Sequence, residues 1–106
     1  MSEGLDRLFA TIAARKEAGD AENSYTARLL AGGIEKCAKK MGEEAVETAL
    51  AAVAGSKDQL AAESADLLYH LAVLWAAAGL NPEEVYAKLA AREGMSGLAE
   101  KAARKG

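Results

Sequence analysis

MGEEAVETALAAVAGSKDQLAAESADLLYHL, residues 41–71, decides the fold class. Alanine recurs through it, and no stretch alternates apolar with polar residues as a half-buried strand would. In its middle stands a stop followed by a start. Gly55 closes one helix, and Ser56 with Gln59 three residues on has the spacing of a capping box for the next. Two long helices, about Ile34 to Ala54 and from Ser56 to a stop at Gly79, are therefore predicted to pack antiparallel, because a connection of a few residues leaves them neighbours.

Toward the N-terminus, Ser2 is read as the cap of an amphipathic helix in which Leu5, Leu8, Phe9 and Ile12 recur at helical spacing and which Gly19 ends. A polar loop, Asp20 to Asn23, leads to Ser24 as cap of a short segment with Tyr25, Arg28, Leu29 and Leu30, interrupted at Gly32-Gly33. Toward the C-terminus, Asn81 as cap, Pro82 at the first helical position and Glu84 in a second capping box start another helix, ending near Glu93-Gly94. Ser96 caps a last basic turn or two with Lys101, Arg104 and Lys105. The expected architecture is all-α: an antiparallel bundle of four to five helices forming a single domain over residues 1–106. At 106 residues, 51% hydrophobic but only 5% aromatic, the apolar content is largely alanine, which favours helix but fills little core, so a partner subunit would help.

A net charge of −3 gives no general attraction for nucleic acid. Cys37, the single cysteine, can form no internal disulfide and has no Cys/His cluster for zinc, so it is read as a small buried hydrophobe. The longest apolar run, Leu71 to Leu80, is well short of the ~20 residues a membrane span needs. With no signal-peptide pattern at the N-terminus, the expected location is the cytoplasm.

At about 100° per residue, Glu43, Glu44 and Glu47 share roughly a third of one helix's circumference. The same arithmetic puts Glu63, Asp66 and His70 on one stripe of the next helix, and the hairpin lets the two faces meet. Like charges at i,i+3 and i,i+4 destabilise an exposed helix, so something positive should compensate them. Lys39 with Glu43 and Lys40 with Glu44 would do part of this. Glu63 and Asp66, however, lie among leucines, where unpaired carboxylates must protonate, pair or bind a cation. All-oxygen ligation favours a hard ion, Mg²⁺ or Mn²⁺, over zinc, and the Glu-x-x-His motifs of a di-iron bundle are missing. Such an ion keeps positions open for water and phosphate oxygens, and Lys36 and Lys40 align with Glu43 and Glu47 as anion contacts would. Phosphate ester or anhydride hydrolysis is the implied chemistry.

Glu43-Glu44-x-x-Glu47 followed by Glu63-x-x-Asp66 resembles the signature of the MazG-like all-α nucleotide pyrophosphohydrolases. Ser24-Tyr25-Thr26 with Leu29-Leu30, Lys39 to Glu44, Ala65 to Leu71, Arg92, and Ser96-Gly97 with Glu100-Lys101 further resemble the phosphoribosyl-ATP pyrophosphatase family, over nearly the whole chain. That resemblance implies Mg²⁺-dependent hydrolysis of phosphoribosyl-ATP to phosphoribosyl-AMP and pyrophosphate, the second step of histidine biosynthesis, by a helical homodimer. It implies Glu44, Glu47, Glu63 and Asp66 as metal ligands, with Glu43 as a further ligand or a group orienting water, making Glu43 and Glu47 the catalytic candidates. Lys36, Lys39 and Lys40 would face phosphates. His70 would hydrogen-bond within the fold, orient a carboxylate or touch substrate, and Tyr69, Trp75 and Met41 are read as core or dimer contacts. One cysteine and one histidine cannot supply the metal site of the cyclohydrolase often fused to this family, so only the pyrophosphohydrolase step is expected. Two other readings share these features: a pyrophosphohydrolase of dUTP or aberrant nucleoside triphosphates, and a non-catalytic helical dimer with an acidic interaction face.

Overall fold

The computed structural model describes residues 3–93, which form α1 (Glu3–Ala18), α2 (Tyr25–Ala31), α3 (Gly33–Ala54), α4 (Lys57–Ala78) and α5 (Pro82–Arg92). No strand occurs among the described residues, so the fold is all-α, as expected. The caps expected at Ser2 and Ser96 lie outside the described residues.

Most helix boundaries fall where the punctuation puts them. Ser24 Oγ accepts from Ala27 N at 3.1 Å and starts α2. Ser56 Oγ accepts from Gln59 N at 3.2 Å, the first half of the expected box, whereas at Asn81 both halves close, with Glu84 Oε2 accepting from Asn81 N at 3.0 Å. α3 begins one residue earlier than expected, at Gly33. There φ is +87°, a left-handed value that costs glycine little and lets the chain turn from α2 into α3 without a longer loop.

α3 and α4 make the most extensive helix contact in the molecule, joined through Gly55 and Ser56. Thr48 of α3 meets Glu63 of α4, and Ala51 and Ala54 share a groove with Gln59, so the pair runs antiparallel. The core lies toward one end of this hairpin. Ile12 of α1, Leu29 of α2, Cys37 of α3 and Ala72 and Val73 of α4 are buried together, with Leu8, Phe9, Leu30, Tyr69 and Leu74 packed against them. Cys37 is buried as expected, its thiol 3.3 Å from the Leu29 carbonyl. Trp75 stacks loosely on Phe9 at 5.6 Å, and Lys16 Nζ donates to the Ala76 carbonyl at 2.7 Å, tying the end of α1 to the last turn of α4.

The other end of the hairpin is built differently. α3 leaves Val46, Leu50 and Val53 59%, 63% and 87% exposed, and their spacing of four and three residues makes them one apolar stripe. α1 and α2 pack with the core at the opposite end from this stripe. α5 has no fully buried residue; Tyr86 meets the Phe9 ring at 6.2 Å.

Candidate active site

In the antiparallel hairpin, Glu44 of α3 faces Glu63 and Asp66 of α4, with ligand oxygens from all three within 4.8 Å of one another. Glu44 and Glu63 are half-buried and Asp66 is exposed. Glu44 Oε2 and Glu63 Oε2 are shielded from solvent and have no hydrogen-bond partner among the described residues. A buried acceptor left so is costly, and two side by side on like-charged groups are costlier.

Glu47, one turn along α3, is exposed and borders this group without being one of the three. Burial is the largest cause pushing the Glu44 carboxyl above the usual carboxylate range, followed by the hydrogen bond and charge of Glu47; His70 opposes the shift and Asp66 adds to it. Burial likewise leads in raising Glu63, followed by the charge of Glu47, its hydrogen bond and the charge of Asp66, while a hydrogen bond from Glu44 opposes the shift. The leading causes, burial and neighbouring carboxylates, each favour an added proton or cation at these two groups.

Two further side chains make hydrogen bonds to the backbone at the site. Thr48 Oγ1 lies 2.8 Å from the Glu44 carbonyl and 3.2 Å from that of Glu63, so one hydroxyl is shared by the backbones of both helices beside the carboxylates. The i−4 bond to Glu44 is common for a helical threonine; the cross-helix one sets the spacing of α3 and α4 here. His70, 7% exposed, places Nδ1 2.8 Å from the Asp66 carbonyl. A carbonyl oxygen only accepts, so Nδ1 carries the proton and Nε2, buried and without a partner among the described residues, presents a lone pair when the ring is neutral. Its ring lies edge-on to Tyr69 at 5.0 Å and to Tyr25 at 6.2 Å.

The remaining expected site residues are placed unevenly. Glu43 is exposed, stands outside the group of three and pairs with Lys40 Nζ at 3.9 Å. Lys40 thus meets Glu43 at i,i+3 in place of the expected i,i+4 pairs, Lys39 with Glu43 and Lys40 with Glu44. Lys39 is exposed one turn before Glu43. The Lys36 stem folds back across Gly32 so closely that a methyl group there would overlap it, which turns this lysine toward the start of α3. Sequence reading did not single out Thr48, and it took Tyr25 only as part of the Ser24-Tyr25-Thr26 motif, with no role at the site. For Thr48 the signal was its place four residues after Glu44 and next to Glu47, a hydroxyl on the acidic face.

The donor set suits a hard divalent cation: carboxylate oxygens from two helices, two of them buried without partners among the described residues. A cluster of this kind can hold such an ion and the phosphates that share its coordination.

Comparison with known proteins agrees with this chemistry. A family model described as phosphoribosyl-ATP pyrophosphohydrolase matches residues 5–93. A phosphoribosyl-ATP pyrophosphatase from Azospirillum brasilense is 64% identical over 101 residues, 95% of this chain and 90% of that one. Proteins of the same name from Parvibaculum lavamentivorans (63% identical, 94% of this chain, 91% of that one) and Cereibacter sphaeroides (58%, 94% and 96%) are similar along nearly the same length. From the family match across the described helices and these full-length relatives, the chain belongs to the phosphoribosyl-ATP pyrophosphohydrolase family.

Proposed function

We propose that this chain hydrolyses phosphoribosyl-ATP to phosphoribosyl-AMP and pyrophosphate, as a single-domain cytoplasmic enzyme of histidine biosynthesis dependent on Mg²⁺, with Mn²⁺ as substitute. The observation that carries this reading is the approach of Glu44, Glu63 and Asp66 to within 4.8 Å, two of their oxygens buried and unpartnered, in a chain of this family. Glu44, Glu47, Glu63 and Asp66 would hold the ion. When bound, it would offset charge on the phosphates and on the pyrophosphate leaving group.

The chain's own residues do the rest. Water enters beside Glu47, which is exposed and borders the groove of about 410 Å³ formed with Leu50, Ala51 and Glu63. Its oxygen forms a bond to one phosphorus of the α,β bridge, and the bond from that phosphorus to the bridging oxygen breaks. The electron pair stays on that oxygen, which leaves on pyrophosphate for attack at the α-phosphorus and on phosphoribosyl-AMP for attack at the β-phosphorus. The water's proton passes to Glu47, with Glu43 as the other candidate to orient the water. Lys40, 37% exposed at the side chain and already beside Glu43, is the nearest cation to contact phosphate; Lys39 adds positive charge on the same turn, and Lys36 would have to swing from Gly32 to join them. His70 is held to the Asp66 backbone carbonyl through Nδ1, and its buried Nε2 would meet substrate only if the ring turned outward. Positioning and fixed charge account for most of such catalysis.

The active form is proposed to be a homodimer. The Val46, Leu50 and Val53 stripe borders the acidic groove through Leu50 and leaves apolar surface that a second copy would cover. The direct test incubates purified protein with phosphoribosyl-ATP and Mg²⁺, with dUTP and ATP as controls. Stoichiometric pyrophosphate and phosphoribosyl-AMP from phosphoribosyl-ATP support the reading; preferential turnover of dUTP or ATP, or none of any substrate, defeats it.

A further inference from the structure

Beside the carboxylates lies an aromatic cluster that the scheme above leaves unused. Tyr25, the first residue of α2, is 49% exposed although three of its neighbours, Ser24, Thr26 and Ala27, are buried. Its ring lies nearly parallel to that of Tyr69, interplanar angle 21° and centroids 6.4 Å apart, and edge-on to His70 at 6.2 Å. Both backing rings are fixed: Tyr69 by a hydrogen bond between its hydroxyl and Thr26 Oγ1, and His70 by its bond to the Asp66 carbonyl. A large, half-open ring is thus held rigid on one side and joined by a single histidine to the backbone of an acidic-cluster residue.

We infer that Tyr25 is the stacking surface for the purine ring of the nucleotide, with Tyr69 and His70 as its rigid backing. The inference rests on the phosphate chemistry proposed for the acidic cluster and names where the other end of the same molecule lies. A nucleotide whose phosphates sit at Glu44, Glu63 and Asp66 must send its base to one side of the cluster, and along α4 toward His70 the described residues offer an open aromatic face. An aromatic ring suits any flat heterocycle, because every base has a π-face, and ordering a tyrosine that its neighbours already hold costs little entropy.

The test compares Tyr25→Ala, Tyr25→Leu and Tyr25→Phe in the full-length chain, each checked for helical content and sedimentation. For phosphoribosyl-ATP, Ala and Leu are expected to raise KM by about tenfold or more, the size of a lost stacking contact, with the loss falling on KM more than on kcat; Phe, which keeps the ring, recovers KM. Direct binding separates this inference from the proposed reaction. With Mg²⁺ present, Tyr25→Ala should weaken binding of α,β-methylene-ATP while inorganic tripolyphosphate, which has no base, binds as to the unaltered protein. That pattern supports stacking even if phosphoribosyl-ATP is not the substrate. Equal effects on both probes, a Leu variant that matches Phe, a KM within twofold of the parent, or a change in oligomeric state that accounts for the KM would each overturn it.

Discussion

At the residue scale the site is defined by charges that repel unless something positive joins them. Glu44 and Glu63 hold their protons more tightly in the folded chain than in the unfolded one, burial being the main cause. The stability this contributes is fully present below the ordinary glutamate range and is lost as pH rises through the raised values. Glutamine copies the protonated form, so Glu63→Gln should match the metal-free parent in melting temperature near pH 4 and exceed it increasingly toward pH 7. Thermal scans across that range check this; a difference independent of pH would contradict the assigned environment. Saturating Mg²⁺ should raise the parent's melting temperature at pH 7 and move the Gln variant less. Glu47→Ala and Asp66→Ala should each lower turnover by about a hundredfold or more with helical content intact, a larger loss than a group merely supporting a ligand causes. Steady-state rates and circular dichroism on both variants test that.

The same residues show how far a sequence can be read. The acidic set was visible because offsets of three, four and seven residues return to one helix face, and the hairpin made the two faces meet. What periodicity cannot give is rotamer direction. Lys36 and Lys40 occupy one stripe, yet one stem folds over Gly32 and the other reaches Glu43, and Glu43 shares an arc with Glu44 without joining its cluster. Tyr25 was visible as part of a motif but not as an open ring face, because that face depends on Tyr69 and His70, more than forty positions away, standing beside it.

At the scale of elements, α3 and α4 form the rigid frame, and Thr48 is its fastener at the site. Thr48→Val keeps the shape and removes the hydroxyl, leaving the Glu63 carbonyl without that bond. It should cost about 1 kcal/mol of stability and, by letting the helices shift, reduce activity more than stability. Urea melts paired with kinetics measure the two effects separately; equal, small changes in both would show that the cross-helix bond has no part in holding the carboxylates. Helix ends were the most legible feature, since Ser24, Ser56 and Asn81 all cap where their side chains can reach a free backbone N–H. The start of α3 was misplaced by one residue because only glycine makes a left-handed first position inexpensive, and a sequence with two adjacent glycines does not say which one turns.

For the whole molecule, a core gathered at one end of the hairpin leaves an apolar stripe at the other, beside the groove that contains Glu47 and Glu63. If a second copy covers that stripe, Leu50→Asp or Val53→Asp should halve the sedimenting mass while the chain stays helical, and activity should fall with the dimer fraction. A monomeric parent would defeat the proposed assembly. It would leave the acidic cluster in place, because Glu44, Glu63 and Asp66 come together within one chain.

The central claim is that these carboxylates form one cation site. Calorimetric titration of the metal-free protein with Mg²⁺ tests it most directly, run beside Asp66→Ala. A saturable isotherm of fixed stoichiometry per chain, abolished in the variant, is the expected result. Weak, non-saturating uptake, or an isotherm unchanged by loss of Asp66, would contradict it.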